Sequence, residues 1–452
     1  MRAPTPPSTL FSLTALLALS ALPVLAAAPP ESPYATPQPP FYGQVRTRTE
    51  YDVKAMADTS TKKALLNTQL RTRLGFVAVP NPAVEIKVEM QDVRYYGSEP
   101  NAANNPSSAT VGNRAGVDLT QGYVAVEEGP FKTALGRQKM SLGSGRFLST
   151  LEWSPTSRQF DGWSFNLNLD PGNLTGMAFL VRDTNATVTK DHDMLGGLYY
   201  SHQITPDLVA EAYSFYDQNR LTTIHNGDTT SNYDLEYYGE RVAGKVGIVT
   251  FEEEFIWQGG ELTTNKGANK NSAAFQLGTR LGIAMGPHKA NLGVDVMSGD
   301  DDPTDGDFHT YRANYYFAHN LYGWMDYFGA NPRYGVVDYR VDGEFGFLPG
   351  PTGNPRLTLK PAYHFFTPEA APTSGATKAD NPYGSEIDLE AHVAWYPKSN
   401  IVFGAGLFIP GDDAYLLGAA SQASPGVPKA TLAKGGSKEN GVFLYFMPTF
   451  NF

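Results

Sequence analysis

From Gln44 onward the chain alternates. Val45, Thr47, Thr49, Tyr51 and Val53 interleave with Gln44, Arg46, Arg48, Glu50, Asp52 and Lys54. This period of two sets apolar and β-branched side chains on one face and charge on the other, which predicts a strand. Leu66, Thr68, Leu70, Thr72, Leu74 and Phe76 repeat the pattern opposite Asn67, Gln69, Arg71 and Arg73. After the turn residues Pro80, Asn81 and Pro82, Ile86, Val88 and Met90 alternate with Glu85, Lys87, Glu89 and Gln91. Two strands and a tight turn make one hairpin.

The same unit recurs to the end. Short turns fall near Gly129-Pro130, Asp170-Pro171-Gly172, Thr205-Pro206-Asp207, Gly247, Gly286-Pro287, Pro349 to Pro355 and Pro397 to Asn400. Between them lie a long polar loop from Gly97 to Gly116 and segments rich in Asn, Asp, Ser, Thr and Gly: Ser141 to Gln159, Thr184 to Asp193, Gln218 to Asp234, Gly260 to Ser272, Ser298 to Tyr334, Thr367 to Gly384 and Gly411 to Asn440. Long and short connections alternate, and they separate about eighteen strands of about 9 to 13 residues, suited to a tilted bilayer crossing. The final run, Gly441 to Phe452, sets Val442, Leu444, Phe446, Phe450 and Phe452 on one face and ends on an aromatic residue.

The expected fold is therefore all-β: a transmembrane antiparallel β-barrel of about 18 strands, with short periplasmic turns and long extracellular loops. In hydrocarbon an open sheet leaves its edge unpaired at several kcal/mol per group, so closure is obligatory. Eighteen strands enclose an aqueous lumen rather than a packed core. Mean hydropathy of −0.32 suits a wall that is oily on one face only.

The first residues have a different grammar. The apolar run from Leu10 to Leu25 leads into Ala26, Ala27 and Ala28, which reads as a secretory signal peptide over residues 1–28. Residues 29–40 are a Pro-rich lead-in without hydrophobic period, and the barrel is expected over 41–452. Export by this signal and the barrel pattern together imply the outer membrane of a Gram-negative-type bacterium. The 452 residues include no Cys, so thiol nucleophiles, Cys-ligated metals and lipoprotein anchors are excluded. A net charge of −11 argues against nucleic acid as partner.

Charge on the inward faces sets the candidate chemistry. Arg46, Arg48, Arg71, Arg73, Arg137, Lys139, Arg340 and Lys360 read as inward and can form a cationic constriction. Glu85, Glu89, Glu252, Glu254, Asp338, Asp342, Glu344, Glu386, Asp388 and Glu390 also read as inward, so the balance is mixed. The plain alternative is that these side chains pair across strands and line water without selecting anything.

Two blocks carry a resemblance. Leu135 to Leu169 reads LGRQKMSLGSGRFLSTLEWSPTSRQFDGWSFNLNL, with G-R-Q, G-x-G-R, a Trp and R-x-F-D-G in order. Ser298 to Gly329 contains SGDDDPTDGDF followed by YGWMDYFG. In this order the blocks resemble the outer-membrane alginate-export family of porins. The resemblance implies a monomeric eighteen-stranded barrel with an arginine-lined constriction that favours an anionic polysaccharide. By motif it puts Arg137 and Arg158 in that constriction with Asp161 as an acidic partner holding an arginine; Arg146 is a weaker candidate, and Arg48, Arg71 and Arg73 rest mainly on the alternation. It also implies that assembly machinery reads the aromatic last strand. A guanidinium suits the role because it stays charged and holds a carboxylate through two parallel bonds.

The expected function is a passive porin without ATP or cofactor that moves anionic oligosaccharide or other small anionic solutes. An uptake porin for small neutral or aromatic nutrients is the alternative. Asp300, Asp302, Asp305 and Asp307, with Asp301, are dense enough in oxygen to hold a structural calcium, against the reading of a solvated acidic loop. The following aromatics, Tyr311, Tyr315, Tyr316, Phe317, Tyr322, Trp324, Tyr327 and Phe328, either stack on sugars or pack the loop onto the wall, and packing is the expected role. No G-x-S-x-G or H-E-x-x-H motif appears, and His364, His392 and Asp388 are the only grounds for a hydrolase; no enzymatic activity is expected. A loop-based receptor or adhesin is a third class, one that binds at the surface without conducting.

Overall fold

Alternation becomes a ring of strands. The computed structural model describes residues 40–53, 65–96, 117–183, 192–220, 223–225, 228–264, 269–302, 305–329, 331–350, 354–371, 381–414, 417 and 439–452. The expected signal peptide, most of the lead-in and the loop from Gly97 to Gly116 lie outside these residues. The strands are β1 (Phe41–Val53), β2 (Leu65–Asn81), β3 (Val84–Tyr95), β4 (Asp118–Glu128), β5 (Phe131–Gln138), β6 (Phe160–Asn168), β7 (Gly172–Asp183), β8 (His192–Thr205), β9 (Leu208–Asn219), β10 (Thr223–His225), β11 (Asp228–Val246), β12 (Val249–Thr264), β13 (Asn269–Met285), β14 (His288–Met297), β15 (Asp307–Phe308), β16 (Val336–Pro349), β17 (Pro355–Thr367), β18 (Gly384–Tyr396), β19 (Ser399–Pro410) and β20 (Gly441–Asn451). β10 and β15 are short ribbons beside the wall, and the other eighteen pair antiparallel, each with its sequence neighbour in that set.

The ring closes where β1 meets β20, from Gln44 opposite Asn451 to Val53 opposite Val442. The backbone N–H groups of Gly43 and Phe452 each donate to the other residue's carbonyl, at 2.9 and 3.0 Å. Gly43 also leaves room for the terminal ring, because a Cβ there would lie 2.2 Å from a Phe452 ring carbon. No edge is left for water or lipid to satisfy, which is the condition for a sheet in hydrocarbon.

The short turns fall where Gly, Pro and Asn place them. Gly247 and Gly286 take φ of 62° and 58°, backbone that a side chain resists, and each reverses the chain in two residues. The polar tops of β11, β12 and β13 differ from expectation: residues expected in loops at 228–234, 260–264 and 269–272 continue the ladder. Their polarity marks emergence from lipid, not loss of pairing, since Tyr233 opposite Leu262 and Leu262 opposite Lys270 keep register.

Outward positions carry Leu74, Met90, Leu135, Leu292, Tyr339, Phe403, Leu444 and Phe446, all exposed, as an oily wall requires. Inward positions carry Arg71, Gln91, Glu254, Gln276, Asp295 and Glu386, all buried. What buries them is chain. Residues 139–159 and the described residues of 298–335 fold into the lumen, the latter with a one-turn helix α1 (Ala318–Leu321). Tyr311, Tyr316, Tyr322 and Phe328 are buried there; Phe328 packs on Phe366 with ring centres 4.4 Å apart, and Tyr327 on Phe408 at 4.1 Å. The aromatic run therefore packs this loop inside the wall, each ring worth roughly 1.5–3 kcal/mol of burial.

Candidate functional site

Four arginines stand on the inner face of two adjacent strands. Arg46 lies opposite Arg71 across the β1–β2 ladder, with Arg48 and Arg73 beside them. Like charges directly opposite destabilise a sheet unless something is set between them. Here it is the backbone of residues 152–154. Arg46 Nη1 donates to the Glu152 carbonyl at 2.7 Å and its Nη2 to the Trp153 and Ser154 carbonyls at 3.2 and 2.9 Å. Arg48 Nη1 donates to the Trp153 carbonyl at 2.5 Å, and Arg71 Nη1 to those of Glu152 and Ser154 at 3.1 and 3.3 Å. Leu151, at φ 51°, makes the reversal that turns these carbonyls to the wall.

Carboxylates complete the cluster. Glu152 Oε2 lies 2.6 Å from Arg73 and 3.3 Å from Arg71, and its Oε1 lies 3.3 Å from Lys139. Lys139 also reaches Glu89 at 2.6 Å, and Arg48 reaches Glu50 at 2.7 Å. Burial pushes the Glu152 carboxyl up, but Arg73, Lys139 and Arg71 outweigh it and hold the group below the usual carboxylate range. Five cations, Arg46, Arg48, Arg71, Arg73 and Lys139, thus face three carboxylates, Glu50, Glu89 and Glu152.

The two inward loops meet at this cluster. Trp153 is sandwiched, with the Arg48 guanidinium 4.0 Å from its ring centre and His319 stacked at 3.8 Å and 10°. Tyr445 of β20 meets Trp153 edge-on at 5.0 Å. Arg158 ties the same loops elsewhere: its Nη1 donates to the carbonyls of Ser149, at 2.9 Å, and Tyr315. Burial pushes that guanidinium down to about 10.

Arg146 is the deepest anchor. Its side chain is fully buried and lies 2.6 Å from Asp295, 2.7 Å from Glu252 and 3.5 Å from Glu254. Gly278 of β13 leaves the space, since a Cβ there would lie 2.1 Å from Arg146 Nε. Burial alone pulls this guanidinium down, and Asp295, Glu254 and Glu252 more than reverse it. The G-x-G-R step is thus a latch fixing the loop to β12 and β14.

Three strands from β1, over β18 and on to β16, the wall is acidic. Glu386 Oε1 accepts the Met325 N–H at 2.8 Å, and Asp388 Oδ2 the Trp324 N–H at 3.4 Å. Arg340 lies among these acids: its Nη1 donates to the carbonyls of Asn320 and Leu321, both at 3.2 Å, and its other nitrogens lie 3.1 Å from Asp342 and 3.4 Å from Asp295. Lys360 faces inward in β17 opposite Glu390. His364 Nδ1 lies 2.7 Å from Asp338 and its Nε2 4.0 Å from Asp388, while His392 pairs with Glu390 at 2.7 Å. Carboxylates surround both imidazoles, and no Ser or Thr hydroxyl bonds either within the described residues.

Two sequence expectations are corrected. Arg137 shares its face with Leu135 and Asp161 with Trp163, and these two apolar neighbours are 65% and 42% exposed. Arg137 and Asp161 therefore form an ion pair at 2.6 Å on the outer face of the wall, near its loop end. The positive φ of Gly136 and Gly162, 132° and 154°, marks the local irregularity there, and the sequence alternation does not reveal which face the arginine takes. Asp161 holds Arg137 and not Arg158, and Arg158 braces loops instead of lining a constriction. In the acidic loop Asp300 Oδ1 accepts the Asp302 N–H at 3.2 Å and Asp305 Oδ1 the Asp307 N–H at 2.9 Å. Among the described residues no three acidic or His side chains converge at metal-ligating spacing.

Sequence reading missed Glu152, Trp153, Ser154 and His319. The only signal for the first three is the Glu-Trp-Ser run after the G-x-G-R latch, which says nothing of the carbonyls that do the binding, and His319 carries none.

Comparison with known proteins agrees with this architecture. The family model described as alginate export matches residues 40–422. No curated protein matches the chain. Among solved structures, OccK2 (OpdF) of Pseudomonas aeruginosa aligns with a TM-score of 0.60 at 10% identity, covering 91% of this chain and 96% of that one. A BenF-like porin from Pseudomonas fluorescens Pf-5 gives 0.59 at 9% identity over 91% and 97%, and Acinetobacter baumannii OccAB1 gives 0.59 at 12% over 91% and 96%. The chain belongs to the alginate-export family, and its fold is that of outer-membrane porin channels.

Proposed function

We propose that the protein is a passive outer-membrane channel that passes small anionic solutes of the uronate class, steered by the cationic sector of β1 and β2. The observation that carries this reading is the excess of charge there. Arg46, Arg48, Arg71, Arg73 and Lys139 outnumber Glu50, Glu89 and Glu152 by two, in a wall of low dielectric that focuses the field into the lumen. A solute carboxylate entering beside Glu152 meets guanidinium groups already held in place, so little side-chain entropy is lost on contact. The carbonyls of residues 152–154 satisfy part of the Arg46, Arg48 and Arg71 forks, which keeps the site weak enough to release what it attracts.

One relative points the same way: an OccK2 (OpdF) structure, 10% identical with a TM-score of 0.58, was solved in complex with glucuronate. The test is planar-bilayer recording on refolded protein under a salt gradient. Arg71→Ala with Arg73→Ala removes two of the five cations and is expected to move the reversal potential toward cation preference. It is also expected to weaken current block by glucuronate relative to glucose. An unchanged reversal potential and equal block would overturn the proposal. Passage of small neutral or aromatic nutrients is the second reading, favoured by the Trp153, His319 and Tyr445 faces at the cluster; block by an aromatic alcohol that exceeds block by glucuronate would select it.

A further inference from the structure

The outer face of the wall follows a rule with one exception. Outward charges elsewhere sit at the ends of strands, either in pairs, Arg94 with Asp92 at 2.9 Å, Arg137 with Asp161 at 2.6 Å and Arg220 with Asp234 at 2.8 Å, or singly at the rims, as Glu128 and Glu261 do. Glu240 of β11 and Glu253 of β12 are exposed on the same outer face and make no hydrogen bond or ion pair within the described residues. They are neighbours, because Val242 lies opposite Glu253 and Glu240 opposite Phe255. Glu236, two outward positions further up β11, accepts a bond from Tyr238 at 3.1 Å.

Depth makes these carboxylates unusual. Glu240 precedes the periplasmic end of β11 at Val246 by six residues, and Glu253 follows the start of β12 at Val249 by four. With about 3.3 Å of rise per residue and a tilt near 40°, they stand about 15 and 10 Å above the turn, inside a band about 25 Å tall. Register gives the same answer. The row through Glu240 runs from Ala212 to Phe255, Leu277 and Val296, and that through Glu253 from Ala210 and Val242 to Thr279 and Val294. Val246, Val249 and Phe251 lie on the periplasmic side of both. Acyl chains offer such carboxylates no partner, and leaving them ionised against lipid is costly.

The wall is also low beside them. Ala210, Ala212 and Ser214 of β9 form a strip of small outward side chains between Leu198 and Tyr200 of β8 and the acidic strands. A partner backbone approaches small residues closely. Lipid amines sit at the headgroup level, not at this depth. A second copy of the chain brings no help, because among the described residues no outward Lys or Arg lies in the band. A symmetric contact would then set carboxylate against carboxylate.

We propose that the outer face of β9, β11 and β12 is a docking surface for another protein, whose membrane-embedded segment carries a Lys or Arg that pairs with Glu240 and Glu253. The chain has no Cys, so a single introduced Cys takes one label. The full-length mature chain, labelled at Ala212→Cys in phosphatidylcholine vesicles, is mixed with two fluorescent transmembrane helices that differ only in a central Lys or Leu. Energy transfer to the Lys helix is expected to exceed that to the Leu helix about fivefold, and Glu240→Gln with Glu253→Gln to abolish the difference without changing conductance. A label at Leu292→Cys, on another sector of the wall, is expected to show no preference. Equal transfer to both helices refutes the proposal, even if the double variant fails to fold, and so does self-quenching between Ala212 labels, which would place a second copy on this face.

Discussion

Replacing Arg146 with Met keeps the volume of the latch and removes its charge. Asp295, Glu254 and Glu252 then lose a fully buried partner. Breaking a buried ion pair from one side costs about 3–5 kcal/mol. The lower end applies here, since Asp295 keeps Arg340 at 3.4 Å and Glu252 keeps Arg241 at 3.0 Å. At 1.4 kcal/mol per decade, about 3 kcal/mol raises the open-to-closed ratio of the 139–159 loop roughly a hundredfold. The wall is not at stake, because β12, β13 and β14 keep their full ladders. The assay is single-channel recording with folding checked by heat-modifiable migration: openings to a higher conductance level are expected to become frequent in Arg146→Met. Gly278→Ala is expected to do the same from the other side, since its Cβ would lie 2.1 Å from Arg146 Nε and must displace the guanidinium. Folded variants with wild-type conductance and noise would refute the latch.

Arg137→Ala with Asp161→Ala is expected to leave the reversal potential unchanged, because this pair faces outward; a shift toward cations would return Arg137 to the pore. Trp153→Ala removes the stack between the two loops, worth about 0.5–1.5 kcal/mol, and is expected to add current noise of smaller amplitude than Arg146→Met, as read from open-channel variance. The pH response follows from Glu152, which is held below the usual carboxylate range once its cations offset burial. A lowered carboxyl contributes stability above its unfolded value and loses it as pH falls through the folded one. Anion preference and noise are therefore expected to hold from pH 8 to pH 5 and to change only below about 4; a transition near neutrality would assign the contact to another group.

The wall was legible because a lipid-facing strand has a period of two and no freedom to break it. Arg71, Arg73 and Glu89 face inward where the alternation puts them, and the Gly and Pro turns fall where their backbone preferences require. The site was only half legible. Arg46 and Arg71 announce a cationic patch, but what covers it is the main chain of residues 152–154, and a carbonyl carries no sequence signature. Arg137 misled for a related reason: a short ordered motif identifies a family, while the face a residue takes depends on the register of β5 against β6. The aromatic run of the second loop points to packing, and Phe328 against Phe366 shows why, since buried rings at that density need walls on every side.

The division of labour among the arginines follows from what each one faces. Arg146 is enclosed by three carboxylates, so its charge is consumed locally and can only hold the loop. Arg158 faces carbonyls and tyrosine rings, so it braces the loops while its charge stays uncompensated. Arg46, Arg71 and Arg73 share one directly bonded carboxylate, Glu152, and otherwise bond neutral oxygens. Only an arginine left in electrostatic excess projects a field into the lumen, so charge at Arg146 should govern gating alone, charge at the last three should govern selectivity, and charge at Arg158 should touch both. Arg71→Lys separates these effects. It keeps the charge but loses the fork that holds Gln44 at 2.6 and 3.0 Å together with the loop carbonyls, so noise is expected to rise while the reversal potential stays put. A reversal potential that moves with Arg71→Lys as far as with Arg71→Ala would mean that geometry, not charge, sets the preference.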